Sequence, residues 1–275
     1  MIKLSVIMAC RNESEHIKEV LDSLHEQTVR PVEVVIVDDA STDETFNIIK
    51  KNVESDWTVI KREKNDERYS SIVNAMKSAT MYLKEDFEYI MILDGDTILE
   101  SEYIEKIIQK FREFPDLGIA GGSLIHKITN KEILTDDVNI VFGSNRIYSK
   151  KCWFEINDGK IMKVNSFAWD HEHSVKARNR RYSVIRFDDV ISHSIRLPSL
   201  KVPSFARGIL RYQFGNSLLR IVISSIINFK IDVLSGYIYA MITNKKKIDS
   251  NSNIRKMRNK SDYEFLKSTG LTNDR

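Results

Sequence analysis

The chain has 275 residues, 42% hydrophobic and 29% charged, with ten glycines and four prolines. That composition excludes disordered, collagen-like and low-complexity chains, and it suits one large α/β domain or a domain plus an appendage. The net charge of +3 is uneven: residues 201–260 hold twelve bases and two acids, a local +10 that leaves −7 for the remainder, so the tail is expected to meet an anionic surface.

Residues 4–10 (LSVIMAC) read as a strand buried on both faces, and the charged residues after them give no sign of a secretory signal. Cys10 ends that run as a small buried hydrophobe, and with Cys152 as its only fellow there is neither a disulfide framework nor metal-type spacing. Residues 14–27 place Ile17, Val20, Leu21 and Leu24 at helical spacing. A second strand is expected at 33–37, followed by Ser41-Thr42-Asp43-Glu44, a capping-box-like helix start. A third strand lies near 57–61 and a helix near 70–84. A fourth strand, 88–93, runs into Asp94-Gly95-Asp96; a helix over 102–113 and a strand at 118–124 complete the regular part. The alternation predicts an α/β fold with a mostly parallel central sheet flanked by helices. Residues 125–200 are more mixed, and after Pro203 come two apolar helices separated by Asn228-Phe229-Lys230.

Strand, acidic turn, helix is thus written twice, at 38–43 and at 94–97. Ligands of open parallel sheets bind beyond the carboxyl ends of the strands, so both turns are expected to open into one crevice. Asp94 and Asp96, two carboxylates at i and i+2, suit a hard cation such as Mg²⁺ or Mn²⁺ shared with substrate phosphates. Alternatively one holds metal while the other takes a ribose hydroxyl, or the turn simply caps the next helix. Gly95 is expected to give this turn freedom and let a diphosphate approach the backbone. Asp39 suits a nucleobase or ribose, with Ser41 or Asp43 capping the helix behind it.

Ser5-Val-Ile-Met-Ala-Cys-Arg-Asn-Glu13, Val35-Ile-Val-Asp-Asp-Ala-Ser-Thr-Asp-Glu-Thr45 and Asp94-Gly-Asp96, in this order and at these separations, resemble glycosyltransferase family 2 over about the first 125 residues. The resemblance implies a GT-A fold, a nucleotide-binding sheet fused to an acceptor-binding half, and an inverting transfer from a nucleotide-sugar donor, a UDP- or GDP-sugar. It implies Asp96 as direct metal ligand, Asp94 on metal or ribose, and Asp39 and Glu13 facing the nucleoside. The backbone near Ala9 and Arg11 would line the base pocket, although Arg11 stands where the family often has tyrosine. Trp169-Asp-His-Glu-His-Ser-Val-Lys-Ala-Arg-Asn-Arg-Arg-Tyr182 resembles the family's acidic motif and puts Asp170 at the general base; an N-cap role for Asp170 is compatible with this. Trp169 replaces the motif's first acid and Arg181 its glycine. His193 falls where family members often supply a metal ligand, though a lone histidine after a strand is also a common structural residue. Asn74 matches a donor-contacting asparagine and Arg68 is a weaker donor contact. His171 and His173 do not read as a zinc site, since their alternate spacing does not suit a helix.

Gly208-Ile-Leu-Arg211-Tyr212 sits where processive polymerases of that family carry Gln-x-x-Arg-Trp; only Arg211 and an aromatic remain, which favours single-sugar transfer, with Arg211 contacting the diphosphate or acceptor. In the tail, Arg220, Lys230 and Asp232 interrupt the apolar run below the roughly 20 residues that span a bilayer. The reading is a GT-A domain over 1–200, with halves 1–124 and 125–200, and a basic amphipathic tail over 201–275. The tail is expected to lie on an anionic membrane at its cytoplasmic face, facing a glycan or lipid-linked acceptor, and otherwise to pack on the domain or on a second subunit in a homo-oligomer. Nucleic acid is disfavoured, because the basic region lacks an aromatic reading surface. A nucleotidyltransferase on a similar sheet and a non-catalytic nucleotide-sugar scaffold stay open as alternatives. A dinucleotide dehydrogenase does not, for no G-x-G-x-x-G follows a strand.

Overall fold

The computed structural model describes residues 2–63, 68–84, 86–133, 141–164, 168–196, 204–213, 215–227 and 230–245, with residues 68–71 and 227 described by backbone alone. The chain divides into two compact units, Met1–Leu197 and Pro198–Arg275.

The first unit opens with β1 (Leu4–Cys10), α1 (Ile17–His25), β2 (Glu33–Asp39), α2 (Thr45–Asn52), β3 (Thr58–Arg62), α3 (Arg68–Tyr82) and β4 (Tyr89–Asp94). These strands pair in parallel in the order β3-β2-β1-β4. β1 and β2 are apolar on both faces because both are covered. Val6, Met8, Val34 and Ile36 pack with Ile17, Val20, Leu21 and Leu24 of α1. Ile7, Ala9, Val35 and Val37, pointing the other way, pack with Val73, Met76 and Ala79 of α3.

Then follow β5 (Thr97–Leu99), α4 (Tyr103–Glu113), β6 (Leu117–His126), β7 (Lys131–Glu132), β8 (Asn145–Ser149), α5 (Lys150–Asn157), α6 (Trp169–Asn179) and β9 (Ser183–Ser194). The full order is β3-β2-β1-β4-β8-β6-β9-β5, with β7 on β6. The sheet is parallel through β4 and between β6 and β9, but β8 runs antiparallel to both its neighbours and β5 antiparallel to β9. That reversal matters for the site. Ala9 faces Asp94 and Cys10 faces Asp38 across the parallel ladders, so the carboxyl ends of β1, β2 and β4 share one edge. Because β8 is reversed, its beginning lands on that same edge, with Asn145 opposite Leu93.

The second unit contains α7 (Ser204–Gln213), α8 (Leu218–Ile227) and α9 (Ile231–Ile242). The two apolar helices expected after Pro203 are α8 and α9, and α7 precedes them as a third. Tyr212, Ile221, Val233, Tyr237 and Ala240 form its small core. Gly208 and Gly236 let α7 and α9 touch through backbone: a Cβ on the first would overlap the Val233 carbonyl, and on the second the Phe205 carbonyl. At 1.5 Å per residue these helices are about 15–18 Å long, and no helix among the described residues is long and apolar enough to cross a membrane.

Candidate active site

The turns that follow β1 and β2 are stitched together. The Asn12 amide donates to Ser41 Oγ at 2.9 Å, the Glu13 amide to Thr45 Oγ1 at 2.7 Å and the Ser14 amide to Asp43 Oδ2 at 3.2 Å. In return the Thr42 amide donates to Asn12 Oδ1 at 2.9 Å. Asn12 and Ala40 both take left-handed backbone, at φ 53° and 57°, to turn the chain sharply off the strand ends. The four residues Ser41–Glu44 do not form a capping box. Ser41 donates to Asp38, whereas Asp43 Oδ1 accepts from the Thr45 amide at 3.0 Å. Burial works to raise the Asp43 pKa, but hydrogen bonds from Thr45 and Ser14 outweigh it and draw the carboxyl down to about 2.

Asp38 is fully buried with Oδ2 unpartnered among the described residues, and burial pushes its pKa up. Asp39, expected to face the nucleoside, is buried at the strand end with Oδ1 2.5 Å from Arg62 Nη1. Ala9 is buried in β1, and Arg11, half-buried, begins the turn after it. Glu13, also expected at the nucleoside, is buried and ion-paired to Arg196, the second residue past β9.

Asp94 ends β4 and its backbone amide donates to the Ser144 carbonyl at 3.1 Å, which joins the 94–96 turn to the loop before β8. Its Oδ1 is buried with no hydrogen-bond partner among the described residues. Burial first, then the negative charges of Asp96 and Asp170, push the Asp94 pKa up to about 7, against an opposing pull from Arg146. Burial also raises Asp96, with His16 pulling the other way. The Ile195 amide donates to the Asp96 carbonyl at 3.0 Å, pinning the turn to the end of β9. Asp170, from a distant part of the sequence, is therefore close enough for its charge to act on Asp94 beside that of Asp96, although among the described residues no three metal-ligating side chains already surround one point.

Gly95 has a steric reason beyond turn freedom. A Cβ there would lie 2.6 Å from Cys10 Cβ and 3.3 Å from Glu13 Cγ, so only glycine lets the turn rest on the end of β1. Gly95→Ala is expected to cost about 1–3 kcal/mol of stability, lowering the melting midpoint by roughly 2–4 °C per kcal/mol. An alanine variant with an unchanged melting midpoint would refute this account.

Asp170 is the second residue of α6, not its N-cap: Ala168 holds the cap without a side-chain bond, and Asp170 Oδ1 accepts from the His171 amide at 2.8 Å. Behind it His173 is fully buried among Tyr148, Trp153 and Trp169, all edge-on to its ring. Asn157 Oδ1, 3.2 Å from Nε2, can only accept, so Nε2 carries the proton and Nδ1 accepts from the Tyr148 hydroxyl at 3.0 Å. Burial, reinforced by the charges of Arg146 and Lys176, holds its pKa well below the usual histidine value. This histidine is a neutral core residue, consistent with the rejection of zinc.

The remaining expected residues are scattered. Asn74 is half-buried in α3. Arg68 begins that helix, but its side chain lies outside the described residues. His193 faces Ile98 across the β5–β9 ladder with Nε2 3.6 Å from Glu100 Oε1, and it makes no hydrogen bond or ion pair with Asp94 or Asp96 among the described residues. Arg211 is half-buried in the last turn of α7, in the second unit. The residue that sequence reasoning missed is Arg146, fully buried in β8 and bonded through Nη1 to the Asp170 carbonyl at 2.8 Å. A surface cavity of about 450 Å³, lined by Lys77, Asp158, Lys163, Lys176 and Arg180, lies at the other end of α6 from Asp170 and includes none of the three carboxylates.

Comparison with known proteins gives a consistent picture. Residues 5–176 match the family model described as Glycosyl transferase family 2. The poly-beta-1,6-N-acetyl-D-glucosamine synthase of Staphylococcus epidermidis is 29% identical over 141 residues, which is 50% of this chain and 32% of that protein. The same enzyme of Staphylococcus aureus strain COL is 27% identical over 139 residues. This chain thus aligns with about a third of the length of these curated relatives. Among solved structures, S. aureus TarS 1-349 superposes with a TM-score of 0.57 at 18% identity, covering 85% of this chain and 89% of that one. The mannosyltransferase PcManGT from Pyrobaculum calidifontis, in complex with GDP-Man and Mn²⁺, also gives 0.57 at 18% identity, covering 77% and 63%.

Proposed function

The chain belongs to glycosyl transferase family 2 and has the GT-A fold, and from that premise we propose an inverting transfer of a single sugar from a UDP- or GDP-sugar to a glycan or lipid-linked acceptor. What supports the reading is that Asp94 and Asp96 share the turn after β4, and that Asp96 and Asp170 lie near enough for their charges to add to the burial that raises Asp94. A buried carboxylate oxygen without a partner beside a second aspartate is what a divalent cation would relieve, so Asp94 and Asp96 fit Mg²⁺ or Mn²⁺. A cation held by Asp94 and Asp96 would supply charge that neutralises the donor's diphosphate and makes it a better leaving group. The structural neighbour in complex with GDP-Man and Mn²⁺ supports this coarse requirement.

Asp170 acts as general base. It accepts the acceptor hydroxyl's proton while that oxygen bonds to the anomeric carbon, and the bond from that carbon to the diphosphate oxygen breaks with its electron pair leaving on the nucleotide. The joined turns after β1 and β2, with Ala9, Arg11 and Asp39, line the nucleoside side, and Asn74 and Arg68 of α3 serve as further donor contacts. Glu13 anchors Arg196 at the 94–96 turn, which supports that rim. His193 is retained only as a weaker metal-ligand proposal, given its pairing with Glu100. We assign residues 1–200 to catalysis, divided near 124 between donor and acceptor halves, and residues 201–275 to the tail.

The test is turnover of a panel of UDP- and GDP-sugars with Mn²⁺ by the full chain. Slow release of nucleoside diphosphate from one donor, abolished by EDTA, supports the reading; release of pyrophosphate from a nucleoside triphosphate, or no turnover of any donor, refutes it.

For the tail we propose attachment to an anionic membrane surface. Leu218, Leu219 and Ile226 of α8 and Ile231, Met241 and Ile242 of α9 are exposed, next to basic residues such as Lys230 and Lys245. The chain is expected to co-sediment with vesicles containing phosphatidylglycerol and not with pure phosphatidylcholine, and Ile226→Glu with Ile242→Glu should abolish it. Equal recovery with both vesicle types, or no recovery with either, would remove the proposal.

A further inference from the structure

We propose that Arg146 is a positioning residue for the transfer, its guanidinium locking the first turn of α6, and with it Asp170, to the loop that also holds Asp94. The inference rests on reading Asp170 as the base. Arg146 is 0% exposed and second only to Trp153 in volume among the fully buried side chains. Among the described residues no carboxylate lies within ion-pair distance of it. A guanidinium taken out of water without a counter-ion is tolerated only if its donors are spent on fixed acceptors, and here they are. Nε donates to the Phe142 carbonyl at 3.0 Å, Nη2 to the Val141 carbonyl, and Nη1 to the Asp170 carbonyl at 2.8 Å. Two of these acceptors belong to the loop before β8 and the third to the base itself.

Other contacts close the same joint. The guanidinium lies 5.4 Å over the ring of Trp169, the residue before Asp170. Gly143 leaves room for the indole, since a Cβ there would sit 2.9 Å from the Trp169 ring. From the other side, the Ser144 carbonyl accepts the Asp94 amide at 3.1 Å. The route from metal carboxylate to base is therefore Asp94, Ser144, Arg146, Asp170: one backbone hydrogen bond, two residues of chain and one side-chain hydrogen bond. No other side chain among the described residues bonds both the loop before β8 and the Asp170 carbonyl. Lysine keeps the charge but lacks the planar fork that reaches three acceptors at once.

The experiment compares wild type with Arg146→Met and Arg146→Lys, reading kcat and KM for the donor found above, the affinity for its nucleoside diphosphate with Mn²⁺, and the melting curve. A reacting group displaced by about 1 Å costs on the order of 100-fold. Arg146→Met, which also removes the charge that lowers the Asp94 pKa, should melt cooperatively, bind nucleotide at saturating Mn²⁺ within about threefold of wild type, and lose about 100-fold in kcat. Arg146→Lys should lose about 10-fold or more with the same nucleotide affinity. A folded methionine variant with wild-type kcat overturns the proposal. So does a loss of kcat matched by an equal loss of nucleotide affinity, because Arg146 would then serve the donor side. Should the methionine variant not fold, the lysine variant decides: wild-type kcat there overturns the proposal, and reduced kcat with intact nucleotide binding upholds it. Activity surviving in Asp170→Asn is a separate result, which removes the base itself.

Discussion

Asp96→Ala is expected to lower kcat/KM for the donor by about three orders of magnitude, since a cation supplies several kcal/mol of charge stabilisation and each 1.36 kcal/mol is worth tenfold. Nucleotide binding in the variant should no longer respond to Mn²⁺ or EDTA. The same site predicts an acid limb. Asp94 titrates at about 7 because burial and the charges of Asp96 and Asp170 favour its protonated form, and a cation must displace that proton. Apparent Mn²⁺ affinity should therefore fall as pH drops below 7. For stability the sign is opposite: the folded chain holds this proton more tightly than the unfolded chain, whose value is 3.8. The metal-free protein thus loses stability as pH rises from about 4 to 7, and Mn²⁺ should raise the melting midpoint more at pH 8 than at pH 6. A pH-independent Mn²⁺ effect, or an Asp96→Ala enzyme with full activity, would contradict the placement of the cation.

Asp170→Asn is expected to reduce kcat by about 10²–10⁴, the usual contribution of a positioned general base. The affinity for nucleoside diphosphate with Mn²⁺ should stay near wild type, because asparagine keeps the shape of the side chain and its acceptance from the His171 amide. A second effect follows from the charge removed. Asp170 contributes to the raised Asp94 pKa, so the asparagine variant should bind Mn²⁺ down to lower pH than wild type does. Loss of kcat with an unmoved acid limb would keep the base and reject the electrostatic contact; a shifted limb with unaltered kcat would do the reverse.

Most elements of the first 125 residues were readable in the amino-acid sequence before any tertiary contact was known. β1, β2, β4, β6 and α4 fall within a few residues of their expected positions because doubly buried strands need unbroken apolar runs and α4 places Ile104, Ile107, Ile108 and Phe111 on one stripe. The acidic turns at 38–43 and 94–96 were legible because strand ends of an open sheet collect ligand-binding groups. Only tertiary structure decided the rest. A three-residue strand such as Thr97–Leu99 has no periodicity to read, and its partner Ser192–Ser194 is about 95 residues away in the chain. Arg146 sits in the run Asn145-Arg-Ile-Tyr-Ser149, which has no apolar alternation to mark a buried face, yet four of its five residues are buried. Glu13, expected to face the nucleoside, also pairs with Arg196, 183 residues on, a partner no local pattern announces. Polar side chains take their roles from whichever distant partner the fold brings near, and the antiparallel direction of β8 brings Arg146 to Asp170 at the edge where Asp94 ends.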